Sequence, residues 1–211
     1  MGSLNKGFLF DPRKRHFPTT IAVRQFYENR NGIEHLMTSM ALIAIGANLP
    51  RPDGATPLQT CRHAAVMLDR LPGARLAGLS RWYVSAPVPP SGQPPYVNGV
   101  ALLVLQEPTS RDPAVFLRQL FEIEADCGRQ RSVPNAARTL DLDLIAFETP
   151  EGPVVRAAPD LILPHPRAHL RAFVLAPIAD VAPTWQHPVL GRTAADLLSD
   201  LPDQEIGLLS E

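Results

Sequence analysis

The sequence is poor in cysteine, in net charge and in long apolar runs, and each shortage removes a class of function. Its 211 residues hold two cysteines, Cys61 and Cys127, with no CxxC pair and no histidines at zinc spacing. That excludes a disulfide framework and a zinc ribbon, and both residues are expected as reduced thiols buried on helices. Twenty Lys and Arg against 21 Asp and Glu leave a formal net charge of -1, so nothing draws the chain in bulk to nucleic acid or an acidic membrane. Any anion site must be local. No apolar run approaches the ~20 residues of a membrane span, and the N-terminus lacks the apolar core of a signal peptide. A cytoplasmic chain with no membrane partner is expected. Charged residues reach only 19% while hydrophobic ones reach 45%, a balance that buries a core rather than leaving the chain disordered.

Proline, by contrast, is abundant: 23 residues, about twice its usual ~5% share, concentrated at 87–95 and beyond 150. Residues 1–39 carry mixed charge and a basic cluster, Arg13-Lys14-Arg15-His16, without a sustained period of either kind. They are expected to be an N-terminal extension to a single domain over 40–211, and Met37 or Met40 could be the natural start. The domain opens on a buried strand, Ala41-Leu42-Ile43-Ala44-Ile45, ending at Gly46. Thr56-Pro57 caps a helix expected over 57–71. A loosely alternating stretch at 74–84 reads as a second strand. The proline-rich run 85–95 cannot continue a sheet ladder, and 96–105 resumes strand character. Asp112-Pro113 caps a second helix over 113–127, a basic loop follows at 129–135, and a short last helix is expected from Thr193 to Ser199. In order the elements read βαββαβ. That is an α+β, ferredoxin-like antiparallel sheet with both helices on one face and a C-terminal extension.

The chemistry gathers at Arg138-Thr139-Leu140-Asp141-Leu142-Asp143-Leu144-Ile145. Alternation along a strand puts Asp141 and Asp143 on one face and Leu140, Leu142 and Leu144 on the other. Magnesium is commonly held by one or two carboxylates plus the phosphates of a substrate. The pair therefore reads either as a magnesium-nucleotide site or as the wet face of an edge strand. Arg138 shares the aspartates' side only if the chain bends where the strand begins. Arg129, Arg131, His165 and Arg171 flank the pair in sequence, and guanidinium groups grip phosphate oxygens bidentately.

With these pieces in place the chain resembles the 6-hydroxymethyl-7,8-dihydropterin pyrophosphokinases of folate biosynthesis. The matching segments are Ile43 to Leu49, Tyr96-Val97-Asn98, Ile123-Glu124, Gly128 to Arg131, Ala137 to Leu144, Leu163 to Pro166 and Arg171-Ala172-Phe173. Together they cover about 41–199. The resemblance implies transfer of pyrophosphate from ATP to the hydroxymethyl group of the pterin, leaving AMP. It implies two Mg2+ ions on Asp141 and Asp143. Arg129, Arg131, Arg138, His165 and Arg171 would lie on the ATP phosphates, and Glu124 near the ribose. Tyr96 and Phe173 would sandwich the pterin, Asn98 would bond its edge, and the Ser85 to Val88 loop would supply backbone contacts. A monomer acting on these two small molecules, with no nucleic acid, is expected. Two departures stand out: the loop 132–137 lacks the Arg-Trp-Gly-Pro-type segment of many relatives, and Pro166 replaces a tyrosine found in some. Two other classes fit parts of the pattern. An RNA-binding module shares the βαββαβ plan, but residues 96–105 carry one aromatic where such modules carry several. A metal-dependent phosphohydrolase would use the aspartates without a pterin.

Overall fold

The structure, a computed structural model, describes residues 38–106, 112–129 and 136–210. Residues 1–37 of the extension expected over 1–39, its basic cluster included, lie outside them, as does Arg131.

The sheet is built around β1 (Ser39–Ala47), which pairs antiparallel with β4 (Tyr96–Leu105) on one side and β5 (Asp141–Thr149) on the other. β1 is apolar on both faces because both are covered. Ala41, Ile43, Ile45 and Ala47 pack beneath α1 (Pro57–Asp69) and α2 (Pro113–Asp126), together with Leu103, Leu105, Leu142 and Leu144. Leu42, Val100, Leu102 and Ile145 face the opposite layer, formed by α3 (Ala172–Val181) and α4 (Ala194–Ser199). Across the sheet the order is β6-β5-β1-β4-β3-β9, with β2 (Ala74–Leu79) also pairing with β4. Here β3 is Tyr83–Ser85, β6 is Gly152–Pro153 and β9 is Ile206–Leu208. A separate hairpin joins β7 (Arg156–Ala158) to β8 (Leu161–Leu163). The fold is thus mixed α and β, with an antiparallel sheet and four described α-helices, none of them long and apolar enough to cross a membrane.

The helix starts follow the caps in the sequence. The Thr56 side chain accepts the Gln59 N–H while Gln59 reaches back to the Thr56 N–H, and Asp112 Oδ1 accepts the Ala114 N–H at 2.8 Å. Both helices stop one or two residues early, ahead of Gly73 and Gly128 in the left-handed region. Cys61 is buried on α1; Cys127 is buried at the C-cap of α2.

The stretch 74–84 is two strands rather than one. The chain breaks at Ser80-Arg81-Trp82, where the Ser80 hydroxyl accepts the Val100 N–H at 2.9 Å and the Trp82 ring turns inward against Gly99. A Cβ on Gly99 would meet that ring at 2.6 Å. Gly99→Ala is therefore expected to cost roughly 1–3 kcal/mol through overpacking, read as a drop of several degrees in Tm. An unchanged melt would show that Trp82 yields freely. Absent from the sequence reading were α3, the short strands β6, β7 and β8, and β9, which pairs with β3 as an extra strand.

Candidate active site

Register builds the site floor. Gly46 of β1 lies opposite Asn98 of β4 on one side and Asp141 of β5 on the other, and Ala44 lies between Val100 and Asp143. A Cβ on Gly46 would sit 3.6 Å from Asn98 Oδ1 and 3.9 Å from Asp141 Cβ. With glycine there, an amide and a carboxylate share one open row across three strands. This is the face that α3 covers further along. Because α3 begins only at Ala172, the row remains uncovered, walled by the start of that helix and by the proline-rich loop. The result is a cleft of about 710 Å³ lined by Ser85, Val88, Tyr96, Asn98 and Phe173, and also by Arg129, Arg138, Asp141, Asp143 and Arg171. Residues from both halves of the sequence expectation thus meet in one space. Gln93, Phe121 and Arg167 line it as well.

Arg138 reaches Asp141 because the chain does bend before β5. The Arg138 carbonyl accepts the Asn48 and Leu49 N–H groups, each at 3.1 Å, and Asn48 Oδ1 accepts the Arg138 N–H at 2.8 Å. The amide of Asn48 also donates to Gln93 Oε1 and the Pro94 carbonyl. One buried asparagine therefore ties the bend to the loop wall, a role no sequence spacing announced. Held this way, Arg138 Nη1 lies 2.8 Å from Asp141 Oδ1, and Arg129 Nη1 lies at the same distance.

Asp143 is treated differently. Its side chain is 37% exposed at the cleft, and among the described residues its ion-pair candidate is His165 Nε2, at 4.0 Å. His165 Nδ1 accepts the Arg167 N–H, so the neutral ring carries its proton on Nε2. Burial, then Arg171 and Arg167, push His165 down to about 4, which keeps it neutral near pH 7. The Asp143 carboxyl is pushed up to about 6, first by burial and then by Asp141. Two carboxylates side by side, whose repulsion Arg171, Arg138 and Arg129 only partly offset, suit a cation. Among the described residues no group of three or more His, Cys, Asp and Glu could hold a metal. Two carboxylates alone fit magnesium if a ligand's phosphate oxygens complete the shell.

The residues expected to contact the pterin line the same cleft. Asn98 is buried and donates to Ser85 Oγ at 3.0 Å. Tyr96 donates its hydroxyl to Gln93 Oε1 at 3.1 Å. The Arg171 guanidinium carbon lies 5.4 Å from the centroid of the Phe173 ring, within cation–π range.

Glu124 requires a correction: it is 1% exposed and does not line the cleft. Its Oε1 accepts the Leu142 N–H at 2.7 Å and pairs with Arg129. Burial pushes its carboxyl up to about 7, against the pull of the Leu142 N–H and Arg129. It supports Arg129 from below rather than meeting a ribose. His165 likewise stands beside Asp143 without lining the cleft.

Comparison with known proteins identifies the family. Residues 42–183 match the family model of 7,8-dihydro-6-hydroxymethylpterin-pyrophosphokinase (HPPK). A 2-amino-4-hydroxy-6-hydroxymethyldihydropteridine pyrophosphokinase of Pseudomonas aeruginosa is 38% identical over 170 residues, covering 81% of this chain and 96% of its own. The corresponding protein of Synechocystis is 33% identical over 161 residues, covering 76% and 75%. The HPPK-DHPS structure from Plasmodium falciparum is similar in fold, with a TM-score of 0.54 at 13% identity, over 77% of this chain and 44% of that one. The chain belongs to the 7,8-dihydro-6-hydroxymethylpterin-pyrophosphokinase family.

Proposed function

We infer that the chain transfers pyrophosphate from ATP to 6-hydroxymethyl-7,8-dihydropterin, giving the pterin diphosphate and AMP, in folate biosynthesis. The observation that carries this reading is the row Asn98–Gly46–Asp141, which sets an amide flanked by aromatics beside carboxylates flanked by arginines in one cleft. A flat heteroaromatic suits the first half and a polyphosphate the second.

Tyr96 and Phe173 grip the pterin faces, Asn98 bonds the ring edge, and Ser85 and Val88 supply the loop contacts. Arg129, Arg131, Arg138 and Arg171 hold the phosphates, and neutral His165 backs Asp143 from outside the cleft lining. When bound to Asp141 and Asp143, two magnesium ions would supply charge neutralisation for the phosphate oxygens. The hydroxymethyl oxygen gives its proton to water and bonds to the β-phosphorus, while the bond from that phosphorus to the α,β-bridging oxygen breaks and that oxygen leaves with AMP. Positioning and charge stabilisation account for most of the acceleration in such transfers, so no dedicated protein base is assigned.

The strand order β5-β1-β4-β3, each antiparallel to its neighbour, supports a ferredoxin-like plan extended at its C-terminus by α3, α4 and β9. An RNA-binding sheet is disfavoured because Val100, Leu102 and Ile145, on the face such modules leave open, are buried under α3. We read the chain as a cytoplasmic monomer acting on ATP and the pterin, without nucleic-acid or membrane partners. Its domain begins with β1, since Ser39 is buried and pairs with Leu105. Removing residues 1–37 is expected to leave turnover within about twofold and Tm nearly unchanged; a large fall in Tm would show that the segment packs on the domain.

Incubating the protein with ATP and magnesium, with and without the hydroxymethyldihydropterin, tests the assignment. AMP should appear only with the pterin. ADP released in its absence would point instead to a phosphohydrolase.

A further inference from the structure

The 3-10 turn Ala168–Leu170 joins His165 and Arg167 to Arg171, so its placement sets the cations at one end of the cleft. Two clasps reach it from the C-terminal part of the chain. Gln204 is the first: its Oε1 accepts the Ala172 N–H at 2.9 Å and its Nε2 donates to the Leu170 carbonyl at 3.0 Å.

The second is a histidine pair. His187 is 4% exposed, and its ring meets that of His169 edge to face, 5.6 Å between centroids. His187 Nδ1 accepts the Val189 and Leu190 N–H groups, each at 3.3 Å. A nitrogen that accepts carries no proton, so the neutral ring has its proton on Nε2. Among the described residues that Nε2–H has no acceptor, and the buried His169 Nδ1 has no partner either. Burial and the neighbouring His169 lower the pKa of His187, which favours the neutral ring. A buried donor and a buried nitrogen able to accept, on touching rings, are complementary, and leaving both unmade is costly.

We propose that His187 is a positioning residue for the transfer reaction: its Nε2–H bonds to His169 Nδ1 when the turn settles on ATP, fixing Arg167 and Arg171 against the phosphates. This rests on the pyrophosphokinase reading. The bond forms by movement of the turn, as expected of contacts that tighten only in the substrate complex.

Asparagine separates the two jobs of the histidine. In His187→Asn the side-chain oxygen can still accept from Val189 and Leu190, but the Nε2–H is gone. His169→Leu removes the acceptor, whereas His169→Asn restores one in the place of Nδ1. His187→Asn and His169→Leu should each raise the KM for ATP roughly fivefold, the factor that corresponds to one typical buried hydrogen bond. The double variant should be no worse than either single one. His169→Asn should stay within about twofold of wild type, and the KM for the pterin should hold in all of them. An unchanged KM for ATP in His187→Asn or His169→Leu, additive effects in the double variant, or a fall in Tm alone would overturn the proposal. If the wild-type chain forms no AMP from ATP and the pterin, the underlying reading fails and takes this one with it.

Discussion

Asp143→Ala is expected to lower turnover at least ~1000-fold without lowering Tm at pH 7. The activity loss follows from the assignment of Asp143 to magnesium: removing a ligand that stabilises transition-state charge costs several kcal/mol, and each ~1.4 kcal/mol is tenfold in rate. The stability side follows from its environment. The folded-state pKa of Asp143 is raised to about 6 by burial and by Asp141. A carboxyl raised in this way binds its proton more tightly when folded, so its ionisation opposes folding, and that penalty is fully present once the pH exceeds about 6. Alanine removes the penalty at pH 7. Asp141→Ala should behave differently, because it strips a partner from the half-buried Arg129 and Arg138; it should lose activity and Tm together. Wild-type-like turnover in a folded Asp143→Ala protein would exclude the magnesium role, and a lower Tm at pH 7 would contradict the electrostatic account.

Phe173→Ala is expected to weaken pterin binding at least severalfold while leaving ATP affinity within about twofold. The ring is only partly buried, lines the cleft and lies under the Arg171 guanidinium, yet it also touches the core layer beneath α3. An aromatic contact contributes roughly 0.5–1.5 kcal/mol beyond area burial, and Tyr96 supplies the opposing face. If Phe173 were instead an ordinary core residue, truncation would cost about 3–5 kcal/mol of stability and leave the pterin bound. Calorimetric titration with the pterin, set beside thermal melts, separates the two. Unchanged affinity with a collapsed Tm would leave Tyr96 without its partner.

Much of this architecture was legible because its signals are local. Thr56-Pro57 and Asp112-Pro113 announce their helices through capping chemistry, and the alternation of β5 sets Asp141 and Asp143 on one face. α3 was missed because Asp180 is its sole polar residue and Pro177 sits inside it. A helix buried nearly all round shows no amphipathic period, and an internal proline argues against it. β9 was missed because three residues carry no period, and its pairing with β3 lies more than a hundred positions away in the chain. Glu124 was placed at a ribose although it falls on the same helical stripe as Phe116, Leu120 and Cys127, all of them buried. That spacing was a usable sign that its carboxylate points inward. Asn48 and His187 act through tertiary partners, which no local pattern encodes.

The central claim is that an intact diphosphoryl group crosses from ATP to a pterin held beside Asp141 and Asp143. Phosphorus NMR of the products, after turnover with ATP, magnesium and 6-hydroxymethyl-7,8-dihydropterin, tests it most directly. The account predicts two coupled phosphorus signals on the pterin product and one molecule of AMP for each product formed. A pterin carrying a single phosphoryl group with ADP as co-product, or free inorganic phosphate with the pterin unchanged, would contradict it.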